Sequence, residues 1–208
     1  MTPSESYARV PASGPRRLKT VLFFRRLTTL SGGHQKVWDY FRHTLASGDH
    51  TARIVFSPDS LWNAANPWRH AREYVAPSAA DVRPDVLFLG GADWGNLPAS
   101  MHTASPIPIL NLIAHVRHGD PGSSRFALLR NRAIRICASR EIADAIRAHG
   151  EPNGPLFVIP NAVDVADAPA VATRDTDLVI VAVKQPALGS RLARRLAKAD
   201  RRIELLSR

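Results

Sequence analysis

One stretch constrains the fold of this chain more than any other, the segment 20–41 with the sequence TVLFFRRLTTLSGGHQKVWDYF. An apolar run of β-forming residues at 21–24 leads into a polar loop that ends in Gly32 and Gly33. An amphipathic helix pattern follows at once, with an apolar residue at every fourth position: Val37, Phe41 and Leu45. A strand, a glycine loop and a helix in this order are how an α/β sheet begins. The segment therefore predicts an α/β fold.

The glycine pair has two interpretations. Adjacent glycines let an anionic group approach the N–H groups of a helix N-terminus without meeting a Cβ atom. The pair matches neither the GxGxxG nor the GxxxxGK[ST] fingerprint, so the signal is not specific. Contact of Gly32 and Gly33 with a phosphate or sugar and a plain tight turn both stay open at this point.

Strand-like and helix-like runs alternate along the rest of the chain. The β-rich runs lie at 51–56, 86–89, 108–113, 134–138 and 156–159. Helices are predicted over 69–80 and 126–134 and after Ser139, which is a suitable N-cap residue. Strands that alternate with helices at this spacing predict a doubly wound parallel sheet, a Rossmann-like domain.

Composition divides the chain into four parts. Residues 1–17 lack the apolar core of a signal peptide and are predicted to be a flexible N-terminal arm. Residues 18–164 form the Rossmann-like domain, and the Ala/Pro/Asp-rich residues 165–177 form a linker. Residues 178–208 have a strand-helix-strand pattern that is too short to cover its own apolar faces, and they are predicted to begin a second, truncated α/β domain.

A second glycine turn follows the apolar run at 86–89, and it carries Asp93 and Trp94. Open α/β sheets bind ligands at the carboxyl ends of their strands, so this turn is expected to face the same crevice as Gly32 and Gly33. Asp93 is then a candidate binding residue in the mouth of the crevice. A turn-capping Asp93 and a packed Trp94 are the alternative.

The strand predicted at 108–113 ends in a cluster of polar side chains. His115, Arg117, His118 and Asp120 lie within six residues. Neutral imidazole, guanidinium and carboxylate groups are directional hydrogen-bonding partners for a polyol or a phosphate, and a polar surface loop is the alternative. No third cluster of metal ligands accompanies the two histidines, so no metal site is predicted.

The segment 57–68, SPDSLWNAANPW, embeds two tryptophans in a loop-forming composition. Bulky aromatic residues in such loops usually pack onto the surface of a domain, and we interpret Trp62 and Trp68 in this way. The alternative is a platform for an acceptor or a partner.

The formal charge of +10 attracts polyanions, but the basic residues are spread along the chain apart from one cluster at 191–202. No nucleic-acid-binding motif accompanies them, so no specific nucleic-acid partner is predicted. The same cluster is compatible with peripheral contact with an anionic membrane. No apolar run is long enough for a transmembrane helix, and the single Cys137 excludes a disulfide within the chain. We expect a cytoplasmic protein, peripheral at the inner membrane face.

Three motifs resemble those of a known family. They are Ser31-Gly32-Gly33, the strand-terminal NLIAHVRHGDP at 111–121, and CASREIADAIRAHG with LFVIPNAVD at 137–164. The last resembles the V-I-P-N-G-V-D hallmark that closes the N-domain of GT-B glycosyltransferases. Over 18–206 the chain is most similar to the acceptor-side, N-terminal half of glycosyltransferase family 4 members.

The resemblance implies transfer of a sugar from a nucleotide-sugar donor to a glycan or lipid-linked acceptor, in polysaccharide or glycolipid synthesis. It implies a retaining, metal-independent reaction, with no cofactor besides the donor substrate. The N-domain would hold mainly the acceptor. A non-catalytic Rossmann-like module that binds a glycan or a partner protein is the alternative function.

The resemblance also assigns roles to individual residues. His115 matches the strand-end histidine near the reacting sugar and is the expected catalytic residue, with His118 as the weaker match. Gly32 and Gly33 would approach the donor diphosphate or the transferred sugar. The remaining assignments are Asn161 and Asp164 on the hinge side of the cleft and Lys184 as a basic contact of the diphosphate.

Two departures from the family pattern matter. Ala162 stands where the hallmark has glycine. The sequence to Arg208 does not include the family's donor domain with its Glu-x7-Glu motif. The resemblance therefore implies that a C-terminal half or a partner chain completes the donor site.

Overall fold

The computed structural model describes residues 17–98, 101, 106–162, 176–182, 185–197 and 202–206. The chain divides into two compact units, Met1–Ala162 and Val163–Arg208. The first unit is an α/β domain with a six-stranded parallel sheet flanked by helices, as the sequence predicts. No helix among the described residues has the length and apolar character that crossing a membrane requires.

The sheet of the first unit consists of strands that coincide with the apolar runs of the sequence. Its strands are β1 (Lys19–Arg25), β2 (His50–Phe56), β3 (Val86–Gly90), β4 (Ile109–Ile113), β5 (Ile134–Cys137) and β6 (Leu156–Val158). They lie in the order β2-β1-β3-β4-β5-β6, and every neighbouring pair is parallel. Because both faces of the sheet are covered, the central strands are buried almost throughout.

Helices cover the two faces of this sheet. Helix α1 (Gly32–Ala46) buries Val37 and Phe41 in the same cluster as Leu112 and Ile136. Helix α2 (Arg140–Arg147) packs in another cluster, with Ile113 of β4 and Cys137 of β5. These residues directly follow Leu112 and Ile136 in their strands, so their side chains point to the opposite face of the sheet. The β1–β2 and β5–β6 connections run in opposite directions across the sheet, so right-handed crossovers put their helices on opposite faces.

The helix predicted over 69–80 is wrong. The structure has three short 3₁₀ turns there instead, Pro67–His70, Arg72–Tyr74 and Ala79–Asp81. Between the last two turns the chain runs beside β2, where the N–H of Ala76 donates to the carbonyl of Ile54 at 2.8 Å. The following proline lacks an N–H group and disfavours helical geometry at the residue before it, which explains why no helix continues through this point.

The helix predicted over 126–134 is also wrong, because it is reduced to one 3₁₀ turn at Phe126–Arg130. The fully buried guanidinium of Arg135 donates to backbone carbonyl groups of this segment, those of Leu128, Leu129 and Asn131. An α-helix would use the same carbonyls for its own N–H groups, so the arginine holds the segment in an irregular form. Burial lowers the pKa of Arg135 to about 10.

The second unit contains a parallel pair of strands, β7 (Leu178–Val181) and β8 (Ile203–Leu206), joined through helix α3 (Pro186–Leu196). This confirms the predicted strand-helix-strand order. Most of the predicted arm and linker, residues 1–16 and 165–175, lies outside the described residues. At the end of the arm, Arg17 pairs with Asp85 at 2.8 Å.

Candidate functional site

The strand order places a topological switch point between β1 and β3. The chain leaves β1 towards β2 on one side and later returns to add β3 on the other side. The segments that follow these two strands therefore diverge, and open parallel sheets bind ligands in the crevice that this divergence creates. The candidate site is built from the segments that follow β1, β3 and β4 at this edge.

A buried ion pair lies at the base of the crevice. Arg25, the last residue of β1, donates from Nη1 to the carboxylate of Asp93, and each side chain is less than a tenth exposed. The N–H of Gly90 also donates to this carboxylate at 3.2 Å, and the N–H of Arg26 lies at 3.4 Å. Asp93 is thus tied to its own turn and to β1, and Trp94 beside it is buried.

Glycine at position 90 leaves room for this pair. A Cβ atom there would overlap the guanidinium of Arg25 and lie 2.9 Å from Oδ2 of Asp93. It would also lie 3.0 Å from Cγ2 of Val37 on helix α1. Any larger residue at the end of β3 would therefore displace either the ion pair or α1.

Burial raises the pKa of the Asp93 carboxyl from 3.8 to about 6, although Arg25 and two N–H groups favour its charged form. Between these values the folded chain keeps a proton that the unfolded chain has lost. The contribution of this proton to the free energy of unfolding is complete below the pKa of the unfolded chain. It is lost as the pH rises through the pKa of the folded chain.

We expect the free energy of unfolding of the wild type, minus that of Asp93→Asn, to fall between about pH 4 and pH 6. The slope is at most about 1.4 kcal/mol per pH unit, since one proton is involved. Urea denaturation across this range measures the difference. A difference that rises with pH would contradict the raised pKa.

The N-terminus of helix α1 forms the next wall of the crevice. Ser31 is the N-cap residue, but its hydroxyl does not cap the helix. It lies 2.7 Å from Nδ1 of His34, whose Nε2 lies 3.0 Å from the carbonyl of Arg26. Because a carbonyl only accepts, Nε2 carries the proton and Nδ1 accepts from the Ser31 hydroxyl. Burial, with a contribution from nearby Arg25, lowers the pKa of His34 and favours this neutral form.

This arrangement leaves the first amides of the helix available. Within the described part of the chain, the N–H groups of Gly32 and Gly33 donate to no other protein group. A Cβ atom at Gly32 would meet nothing within 4 Å, and one at Gly33 would meet only Oγ of Ser31, at 3.8 Å. Neither glycine has a positive φ. Neither packing nor backbone conformation thus requires glycine here, whereas close approach of a ligand would.

The segment after β4 contributes the 3₁₀ turn Val116–Gly119. His115 is its exposed N-cap residue, and Nδ1 of its ring accepts from the N–H of Arg117 at 3.1 Å, which puts the proton of the neutral ring on Nε2. The side chain of Arg117 is exposed on the same turn. His118 is only 3% exposed and faces Gly91 of the neighbouring segment.

The ring of His118 joins two walls of the crevice. Its Nδ1 lies 3.1 Å from the carbonyl of His115 and therefore donates to it. The buried Nε2 has no hydrogen-bond partner among the described residues. Burial is the main reason that the pKa of His118 is lowered, so the ring is neutral near pH 7. His118 packs the turn after β4 against the turn after β3.

The chain that follows β6 returns towards α1. Nζ of Lys36, in the second turn of α1, donates to the carbonyl of Ala162 at 3.2 Å. Asn161 is exposed beside it. The structure therefore brings Asn161 to the same helix as Gly32 and Gly33. Two predicted site residues, Asp164 and Lys184, lie outside the described residues.

Three residues of this site are absent from the sequence-based prediction: Arg25, His34 and Lys36. A signal for Arg25 exists, since Arg25 and Arg26 directly follow the apolar run 21–24, and a cation at the end of a buried strand needs an anionic partner. His34 and Lys36 lie on a helix pattern in which polar positions are ordinary, so the sequence offers no comparable signal. Among the described residues, no three His, Cys, Asp or Glu side chains gather to hold a metal ion.

Comparison with known proteins adds no assignment to this geometry. No protein-family model matches the chain, and no curated protein matches it significantly.

Proposed function

We propose that this chain supplies the acceptor-side half of a GT-B glycosyltransferase. It would transfer a sugar from a nucleotide-sugar donor to a glycan or lipid-linked acceptor, without a metal. The observation that carries the proposal is the pair of available amides at Gly32 and Gly33, at the switch point of a parallel sheet. The resemblance of the three sequence motifs supports the same function.

The chemistry that the site supports is positioning and charge stabilisation. Two N–H groups at the positive end of a helix dipole favour a negative group such as a diphosphate. The largely buried amine of Lys36 lies one turn further along α1, where it pairs with Asp39 at 3.5 Å. Departure of a diphosphate from a sugar builds negative charge on its oxygens, and preorganised donors stabilise that charge. A reaction of this kind depends on electrostatic stabilisation and orientation.

His115 is the residue proposed to contact the reacting sugar. Nδ1 of its ring accepts from the backbone N–H of Arg117, so the neutral ring carries its proton on Nε2. That fixed tautomer suits a donor to a sugar hydroxyl. Replacement by asparagine keeps a side-chain acceptor for the backbone N–H of Arg117 but removes the imidazole N–H.

We expect His115→Asn to lower the rate of sugar transfer by about tenfold or more, because one directional hydrogen bond in the transition state is lost. Its melting temperature should stay near that of the wild type. The assay follows transfer from labelled UDP- and GDP-sugars to glycan and lipid-linked acceptors, in the presence of the C-terminal half or partner chain that completes the donor site. Arg130→Asn, a change at an exposed side chain outside the turn that carries His115, is the control. Failure of every donor to support transfer in the wild type would contradict the proposed enzyme and favour the glycan-binding module.

The second unit supports peripheral membrane contact as part of the proposal, at the cytoplasmic face. Helix α3 exposes leucines beside arginines on one side: Leu188, Leu192, Arg191, Arg194 and Arg195. Apolar and basic side chains in this arrangement match the boundary between acyl chains and anionic headgroups. This exposed surface supports the membrane contact that the sequence assigns to the basic cluster at 191–202.

We expect the chain to sediment with vesicles of phosphatidylcholine and phosphatidylglycerol but not with phosphatidylcholine alone. The double change Arg191→Glu and Arg195→Glu should abolish sedimentation, since it reverses the charge that attracts the headgroups. The double change Arg130→Glu and Arg140→Glu in the first unit is the control of equal charge. Equal loss of sedimentation in the two double variants would show that the overall charge of the chain, and not helix α3, determines vesicle binding.

A further inference from the structure

The loop that follows β2 lies beside the segment that follows β1. The N–H of Ser57 donates to the carbonyl of Arg25 at 2.9 Å, and the N–H of Leu61 donates to the carbonyl of Leu27 at 2.7 Å. The hydroxyl of Ser60 accepts from the N–H of Leu27 at 3.0 Å. These bonds fix residues 57–61 alongside the loop that leads to Gly32 and Gly33. A surface on this loop is therefore a rigid extension of the crevice.

Trp62 is exposed at the end of this loop, yet its indole is held in place. It is 38% exposed, whereas Trp68 and Trp94 are buried. Its ring meets the ring of Phe56 in an edge-to-face contact at 5.0 Å, and the guanidinium of Arg72 lies over one face of the indole, 4.9 Å from the ring centre. Only part of the interpretation from sequence is therefore confirmed, because Trp68 packs in the core and Trp62 remains at the surface.

The contacts of Trp62 continue into the core. Phe56 meets Trp68 at 5.4 Å, and Trp68 meets Trp38 of helix α1 at 5.0 Å. The buried side chain of Asn66 closes the loop, donating to the carbonyl of Leu61 at 2.9 Å and accepting from the N–H of Trp68 at 2.9 Å. An indole anchored in this way loses little conformational freedom when a ligand covers it, and preorganisation of this kind favours binding.

The surroundings of Trp62 indicate what the ligand is. Leu61 is the exposed apolar neighbour. Asp59 on the same loop forms an exposed ion pair with Arg26 of the segment that follows β1, with Nε to Oδ2 at 2.7 Å. Burial of one indole and one leucine is too small for a stable protein interface, which takes about 800 Å² from each partner. A pyranose ring offers a C–H face of the size of an indole and hydroxyl groups at its rim. Guanidinium and carboxylate groups are directional partners for those hydroxyls.

We infer that Trp62 is a saccharide platform, on which the acceptor glycan of the proposed transfer reaction is held through one pyranose ring. The inference rests on the proposed function only where it identifies the bound saccharide as the acceptor. Saccharide binding at Trp62 can be measured without any donor. The rim groups Arg26 and Asp59 then select the sugar by the orientation of its hydroxyls.

The test uses the indole N–H resonances of the full chain, which has four tryptophans. The probes are the methyl glycosides of glucose, galactose and mannose, and sorbitol is the control because it has hydroxyls but no ring. We expect one glycoside to shift the Trp62 resonance saturably while the resonances of the buried Trp68 and Trp94 stay in place. No saturable shift with any of the three glycosides, or an equal shift with sorbitol, would overturn the inference.

Variants separate this inference from the proposed activity. Trp62→Ala should weaken glycoside binding by about tenfold or more, as loss of a central aromatic contact does. Phe157→Ala removes an exposed aromatic side chain from β6 and should leave binding unchanged. Saccharide binding at Trp62 without sugar transfer from any donor would uphold the inference and contradict the activity. Sugar transfer whose acceptor KM is the same in Trp62→Ala would uphold the activity and overturn the inference.

Discussion

Replacing Arg135 by alanine is expected to lower the free energy of unfolding by about 3 to 5 kcal/mol. Its guanidinium donates to Oδ1 of Asn111 at 2.9 Å, and the amide of Asn111 donates in turn to the carbonyl of Leu89 at 3.1 Å. The network therefore joins β5, β4 and β3 through buried polar groups. The substitution leaves Asn111 without its donor and opens a cavity below Trp94, whose ring centre lies 5.5 Å from the guanidinium.

Urea denaturation followed by circular dichroism measures this effect. Arg130→Ala is the matched control, because Arg130 lies in the 3₁₀ turn just before β5 and its side chain is exposed. It should change stability by less than about 0.5 kcal/mol, as surface substitutions usually do. If Arg135→Ala lowered the free energy of unfolding by less than about 1 kcal/mol, water would satisfy the buried groups as well as the guanidinium does, which would contradict this prediction.

Gly119→Ala is expected to cost about 2 to 3 kcal/mol, at the upper end of overpacking effects. A Cβ atom at this position would overlap the carbonyl group of Ala145 and lie 2.8 Å from the backbone nitrogen of Ile146. Both belong to the backbone of helix α2, which cannot move aside as a flexible side chain does. The added methyl group must push α2 away from the turn that carries His115 and His118.

This displacement has a second measurable consequence. Packing of His118 against Gly91 depends on the position of the turn, so the resonances of both residues should shift in Gly119→Ala. Gly95→Ala is the control, because a Cβ atom there would meet nothing within 4 Å. A variant Gly119→Ala as stable as Gly95→Ala would contradict the close contact between the turn and α2.

The positions of the sheet strands along the chain could be anticipated because each strand is an apolar run bounded by polar turns. The helices around the sheet could be anticipated only where an amphipathic pattern coincided with local packing, as in α1. In the segments 69–80 and 126–134, tertiary contacts outweigh the helix pattern. In the first segment, the N–H of Ala76 donates to the carbonyl of Ile54. In the second, the guanidinium of Arg135 donates to carbonyl groups that an α-helix would use.

The candidate site was anticipated in part. Strand ends can be located from sequence, so Gly32, Gly33, Asp93 and His115 were placed on segments at one edge of the sheet. The partner of a buried charge cannot be located in this way, because Arg25 and Asp93 are 68 positions apart. The contact of Lys36 with Ala162 spans 126 positions and depends on how the chain returns from β6 to α1.

In the proposed function, the amides of Gly32 and Gly33 receive the diphosphate of a nucleotide sugar. The most direct measurement is the ¹H–¹⁵N spectrum of the full chain during titration with UDP-glucose and GDP-mannose. We expect saturable shifts of the Gly32 and Gly33 amide resonances with at least one of the two nucleotide sugars, while the resonances of Gly95 and Gly150 stay in place. Unmoved Gly32 and Gly33 resonances with both nucleotide sugars, or equal shifts with uridine or guanosine lacking phosphate, would contradict it.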